Sequence, residues 1–203
     1  MRKILIGFLF LFSVSVFSQD LKYGLVVGAN AYDIEMKGSL FVGSGKSPFN
    51  VGGFVDYKIK NHLGLKAHLI YNTTEEGSYY YEDNGARLLF EYTKLKTLQL
   101  HTLLKYDVKE DYSKGFYLLG GFRMTGILDA KSNENVDLGN FYNKVNLGCM
   151  FGIGTTFLKN FSIELVGDRS FTNTVDFDKN KSKNWGAYAN ILFNLEPLFN
   201  HSN

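Results

Sequence analysis

Residues 145–171, VNLGCMFGIGTTFLKNFSIELVGDRSF, read as two alternating strands joined by a turn of a few residues. In the first arm Val145, Leu147, Cys149, Phe151, Ile153, Thr155 and Phe157 share one face. Asn146, Gly148, Met150, Gly152, Gly154 and Thr156 share the other, because successive strand side chains point to opposite sides. Lys159-Asn160 makes the turn. Phe161, Ile163, Leu165, Gly167 and Phe171 then carry the apolar face back, opposed by Ser162, Glu164, Val166, Asp168 and Ser170. Each arm has about the ten residues that a tilted strand needs to cross a bilayer. A soluble sheet can alternate in the same way, so the amino terminus has to decide which solvent this hairpin meets.

Residues Met1 to Ser18 have the parts of a secretory signal peptide in order: basic Arg2 and Lys3, an apolar run through Phe12, then Ser13 to Phe17 leading to small Ser18. Cleavage is expected between Ser18 and Gln19, which leaves residues 19–203 as one barrel domain. The apolar run is shorter than the roughly 20 residues of a spanning helix, and no other stretch is apolar for that length. The only cysteine, Cys149, permits no internal disulfide and leaves none for lipid acylation near the cleavage site. Removing Arg2 and Lys3 from 22 basic residues leaves 20 against 20 acidic ones, so bulk charge gives no support for nucleic-acid binding.

Working outward from the hairpin, the same alternation recurs. A first strand carries Tyr23, Leu25, Val27 and Ala29 on one face, a second Val51, Gly53, Val55, Tyr57 and Ile59, and a third Leu63, Leu65, Ala67, Leu69 and Tyr71. A fourth presents Leu98, Leu100, Thr102, Leu104 and Tyr106. The fifth has Phe116, Leu118, Gly120, Phe122, Met124 and Leu128 opposite a face that includes Tyr117, Arg123 and Asp129, and a last strand follows from Trp185 to Leu195. The connections alternate in length. Tyr32 to Asn50, Asn72 to Tyr92, Ala130 to Tyr142 and Asn173 to Asn184 are long and polar, whereas Lys60-Asn61, Lys109-Glu110-Asp111 and Lys159-Asn160 are short. Short periplasmic turns alternating with long external loops are what a transmembrane barrel requires. The fold class is therefore all-β: an eight-stranded antiparallel up-and-down transmembrane β-barrel in the outer membrane. A lipocalin-like barrel would put its apolar face inside, but here the second face carries Asp56, Lys66, His68, Gln99, His101, Lys105, Arg123, Glu164 and Asp168, too many charges for an apolar ligand cavity.

Four stretches resemble the PorT-like outer-membrane β-barrel domain family of Gram-negative bacteria. They are Leu63-Gly64-Leu65-Lys66-Ala67-His68-Leu69-Ile70-Tyr71, Leu98-Gln99-Leu100-His101-Thr102-Leu103-Leu104-Lys105-Tyr106, Gly115-Phe116-Tyr117-Leu118 with Gly121, and Lys159-Asn160-Phe161-Ser162-Ile163 running on to Phe171-Thr172-Asn173. The resemblance covers the chain after the export signal and implies an outer-membrane barrel of the porin family. It also associates one branch of the family with a protein-secretion apparatus. The family commonly has proline where His101 stands, and residues Glu196 to Asn203 extend past the last strand, where family members usually end.

Inward charges are costly unless paired, so Arg123 with Glu164 and Asp168 is expected to form a network near mid-barrel. Lys66, Lys105 and Asp56 fill the same interior. Eight strands leave an interior just wide enough for side chains to fill, which favours a sealed structural or interaction protein over a narrow channel for small solutes. His68 and His101 on neighbouring strands lack an evident third metal ligand, and no long segment holds the histidine that a lipid-modifying Ser-His pair would need. No cofactor, metal or catalytic residue is expected. Tyr79, Tyr80 and Tyr81, beside Glu75-Glu76, are candidate partner-contact residues, although tyrosines also populate the aromatic girdle of any barrel. The expected partners are outer-membrane lipid, the barrel-assembly machinery during biogenesis, and an envelope or secretion-apparatus protein.

Overall fold

The computed structural model describes residues 21–37, 42–81, 88–109, 112, 114–158, 160–177 and 180–199. The export signal and its cleavage site lie outside the described residues. Strands β1 (Leu21–Lys37), β2 (Val42–Lys60), β3 (Leu63–Tyr81), β4 (Leu88–Asp107), β5 (Gly115–Ser132), β6 (Val145–Leu158) and β7 (Phe161–Ser170) pair in sequence order. The two-residue β8 (Asp176–Phe177) folds back on β9 (Asn180–Asn194), and β9 takes the last place in the wall beside β7. Pairing of β1 with β9, from Gly24 opposite Asn194 to Lys37 opposite Lys181, closes an antiparallel eight-stranded up-and-down barrel. Closure leaves no sheet edge across the apolar band, which is the condition for a sheet to stand in hydrocarbon.

Outward apolar residues make the band that faces lipid. Leu25, Val55, Leu69, Leu100, Leu118, Phe151, Ile163 and Ile191 are 38 to 69% exposed. On the opposite face Val26, Ile70, Leu103, Leu119, Met150, Val166 and Leu192 are at most 4% exposed and form an apolar layer inside the barrel. Two buried clusters build it, one around Leu103, Tyr117, Met150 and Tyr188 and one around Val26, Phe54, Ile70 and Leu192. The face assignment read from the 145–171 hairpin is therefore the one adopted: Leu147 and Ile163 point out, while Asn146 and Glu164 point in.

Much of what read as long loop is strand. β1 and β2 continue to Lys37 and from Val42, and β3 and β4 continue to Tyr81 and from Leu88, so the barrel wall rises well past the apolar band. Alternation does not stop there: Asn72, Thr74 and Glu76 stay buried in succession. Their polarity disguised the strand, because the lipid no longer demands apolar residues outside.

Besides the register shifts beside two short turns, at Lys58/Lys60 and Thr156/Leu158, two one-residue bulges lie within the wall, and each reverses the phase of a strand. On β2, Lys46 faces Glu75 and Asn50 faces Asn72, so three residues stand against two. Pro48 lies in that irregularity, where a residue without an N–H costs no ladder bond. On β5, Lys96 pairs with Asp129 but Thr97 with Ile127, which leaves Leu128 as the extra residue. Asp129, expected on the inward face with Arg123, consequently points outward, and Ala130 becomes buried.

Candidate functional site

The barrel's polar interior divides into two groups of side chains with the apolar layer between them, bridged on the β3–β4 side by His68 and His101, whose ring centroids lie 5.9 Å apart. Toward the end with the long connections, Arg123 Nε donates to Asp168 Oδ1 at 2.9 Å. Its Nη2 donates to Ser170 Oγ at 2.9 Å and Asn146 Oδ1 at 3.1 Å, and Nη1 donates to Thr125. A Cβ at Gly148 would stand 2.9 Å from both Arg123 Nη2 and Asp168 Oδ1, so glycine is what admits this ion pair. A second polar run links Tyr188 Oη and His101 Nε2 to Gln99 Oε1 at 3.0 and 3.1 Å, and Thr97 Oγ1 to Asn72 Oδ1 at 2.7 Å. Side chains including Glu76, Gln99, Arg123, Asn146, Asp168 and Tyr188 enclose a cavity of about 40 Å³. That is room for a few waters at most.

Toward the short turns, Glu164 is ion-paired with Lys66 and accepts from Tyr117 Oη at 2.9 Å. His68 Nε2 lies 3.5 Å from its other oxygen. Lys105 Nζ sits 3.0 Å from Asp56 and 3.3 Å from Asp107, and the Tyr112 hydroxyl also donates to Asp56. The two ammonium groups share the Tyr117 ring, 5.0 and 4.6 Å from its centroid, a cation–π arrangement that suits charges out of reach of water. A cavity of about 20 Å³ remains among Lys22, Asp56, Lys66, Lys105 and Tyr117.

Arg123 and Asp168 are thus together, whereas Glu164, expected in the same network, is paired elsewhere. Glu164 and Asp168 are four residues apart on β7, roughly 13 Å along the strand, with buried Val166 between them. One guanidinium cannot serve both. Lys66, Lys105 and Asp56 complete the second group. The side chains of Tyr79, Tyr80 and Tyr81 lie outside what is described, though their backbone pairs with Phe90, Leu89 and Leu88.

Sequence reading missed the mouth of the barrel. Glu76, taken as an exposed loop acid, is 3% exposed, with Oε1 accepting from Tyr32 Oη at 2.6 Å and Oε2 from Tyr142 Oη at 2.7 Å. Tyr142 belongs to the 133–144 connection, which folds back over the rim. Asn143 N and Nδ2 donate to Thr174 O at 2.9 Å and Asn173 O at 2.8 Å, joining it to the 171–175 segment after β7. Burial, with the Glu76 carboxylate beside it, pushes the Tyr142 hydroxyl well above the usual tyrosine range, so it remains a donor at physiological pH. The signal for Glu76 was present: it continues the inward phase of Asn72 and Thr74.

Among solved structures, the Neisserial surface protein A (NspA) matches with a TM-score of 0.53 and 18% identity over 84% of this chain and 96% of that one. OprG from Pseudomonas aeruginosa matches at 0.48 and 12%, over 86% and 93% of the two chains. Ail, the attachment invasion locus protein of Yersinia pestis, matches at 0.47 and 16%, over 86% and 99%. At such identities the NspA match speaks to the fold alone. No curated protein sequence matches. The model of the outer membrane protein beta-barrel domain family matches residues 17–176, most of the length, and with the closed wall and its lipid-facing band this places the chain in that family.

Proposed function

We propose that this outer-membrane barrel acts as a sealed structural or interaction component of the Gram-negative envelope, with a side-chain-filled interior and its contacts made by the external rim or the short turns. The observation that carries the reading is the apolar layer of Leu103, Leu119, Met150, Val166 and their neighbours, which stands between two paired charge groups and their cavities of about 40 and 20 Å³. Lys66, Lys105 and Arg123 each have an anionic partner inside the barrel, the arrangement that locks an interior rather than one that passes ions. Tyr79, Tyr80 and Tyr81 are the proposed partner contacts at the rim, the partner being an envelope or secretion-apparatus protein as in the PorT-like branch. Export would remove residues 1–18, and insertion would use the barrel-assembly machinery. No catalytic residue is assigned.

Purified protein in planar bilayers is expected to show no steady conductance. Large, stable, ion-selective openings would overturn the sealed reading in favour of a narrow solute channel, which the cavity beneath Glu76 would then begin. Crosslinking in cells from Tyr80 and from Asn160 should capture one recurrent envelope protein.

A further inference from the structure

The outward face of the barrel changes character above its apolar band on the β3–β4–β5 side. From Tyr106 to Leu98 the outward residues of β4 are apolar or neutral, a rise of roughly 20 Å for strands tilted about 40°. The next two outward positions are Lys96 and Lys94. In the register, Lys94 stands directly opposite Lys131 of β5 and Lys96 opposite Asp129. On the other side Glu75 of β3 faces both Lys94 and, across β2, Lys46. Asp129 is shared between two ammonium groups, 3.3 Å from Lys96 and 3.7 Å from Lys131, whose side chains are 51 and 47% exposed. Asp137 stands opposite Lys131 on its other side, so four lysines meet three carboxylates on one strip of wall, with the cations in excess.

Like charges directly opposite on a sheet face destabilise it, and Glu75, Asp129 and Asp137 offset the Lys94–Lys131 repulsion only in part, because Asp129 is shared with Lys96 and Glu75 with Lys46. The bulge at Leu128 adds to the case. Without it β5 would keep its phase and turn Lys131 inward; with it, the cation is delivered to the outer wall beside Lys94 and Lys96. The strip also has a defined depth. It begins where the apolar band of about 25 Å ends, on the side with the long connections, which is the external leaflet for a barrel whose short turns are periplasmic.

We infer that Lys94, Lys96 and Lys131 form a docking site for the phosphate groups of a phosphorylated glycolipid in the outer leaflet. A lipid is the occupant because the cations are continuous with the exposed apolar Leu98 and Leu100 beneath them, so phosphates on the lysines place acyl chains on the band. A soluble polyanion would use the first half of that surface only.

The test uses the full folded chain in detergent, with bisphosphorylated lipid A and its dephosphorylated form as probes and native mass spectrometry counting retained lipid. The protein should retain the phosphorylated form about tenfold more than the dephosphorylated one. The K94Q/K96Q/K131Q variant should lose that preference, while K60Q/K109Q, on the short-turn end, should keep it. Single K131Q, which relieves the like-charge pair, should fold at least as well and lose part of the preference, so a folding failure of the triple variant leaves the site testable. Equal retention of the two lipids, an unchanged ratio in K94Q/K96Q/K131Q and in K131Q, or displacement by inorganic phosphate or a sulfated polysaccharide as effective as the lipid itself would each overturn the site.

Discussion

Lys66 and Glu164 face each other with side chains 3 and 0% exposed, so neither charge can turn to water if the other is removed. Lys66→Met should therefore cost about 3 to 5 kcal/mol, because it strands a buried carboxylate. The double change Lys66→Met with Glu164→Leu should recover most of that loss, since replacing a whole buried pair by apolar groups is often close to neutral. Trp185, the only tryptophan in the sequence, lies 49% exposed on the lipid face and reports both measurements by its fluorescence during urea unfolding. If the double variant were as unstable as the single one, the pair would be acting through geometry and not through charge. Crowding is the companion effect. A Cβ at Gly154 would come within 2.3 Å of the Tyr117 ring that packs over the same pair, and Gly154→Ala should cost about 1 to 3 kcal/mol by overpacking. That inward glycines make room for larger neighbours was readable from alternation; which glycine serves which ring was not, because it depends on register across β5 and β6.

At the scale of strands, alternation carried the reading as long as one face met lipid. The hairpin of β6 and β7 shows it best, and it supplies the sharpest test: Leu147→Arg or Ile163→Arg, both on the exposed apolar face, should reduce stability in bilayers by about 2 to 4 kcal/mol if they stand near the midplane. Folding of Leu147→Arg into vesicles with unchanged urea midpoint would contradict that placement. Alternation fails in two physical situations. Beyond the bilayer, where water replaces lipid, an outward residue is free to be polar, and this hid the strand extensions holding Glu76. At a bulge the phase reverses, and only one of the two bulges left a trace. Pro48 is a residue that a regular ladder avoids; nothing about Leu128 distinguishes it from an outward strand residue, so Asp129 was placed on the wrong face.

Considered whole, the molecule is a wall with two separate plugs: the apolar layer with its paired charges, and the rim where the 133–144 connection reaches Glu76. The sorting of charges to the inside was legible from sequence, but their division into two groups was not, since that needs Glu164 and Asp168 placed at different depths. Orientation can be checked directly in a Cys149→Ser background: a cysteine at exposed Asn133 should react with an impermeant reagent on intact cells, and one at Asn160, in the turn between β6 and β7, should not. The two plugs make different predictions when the rim is loosened. Tyr142→Phe keeps the ring and removes one of the two hydroxyls donating to Glu76, a loss of about 1.5 to 3 kcal/mol for a hydrogen bond to a charged group. Local opening should rise accordingly, so exchange of the Asn143 amide, which donates to Thr174, should quicken by roughly one to two orders of magnitude. The same variant should still show no steady conductance, because Leu103, Met150 and Val166 are untouched below. Steady current from Tyr142→Phe would place the seal at the rim and leave the apolar layer as packing alone.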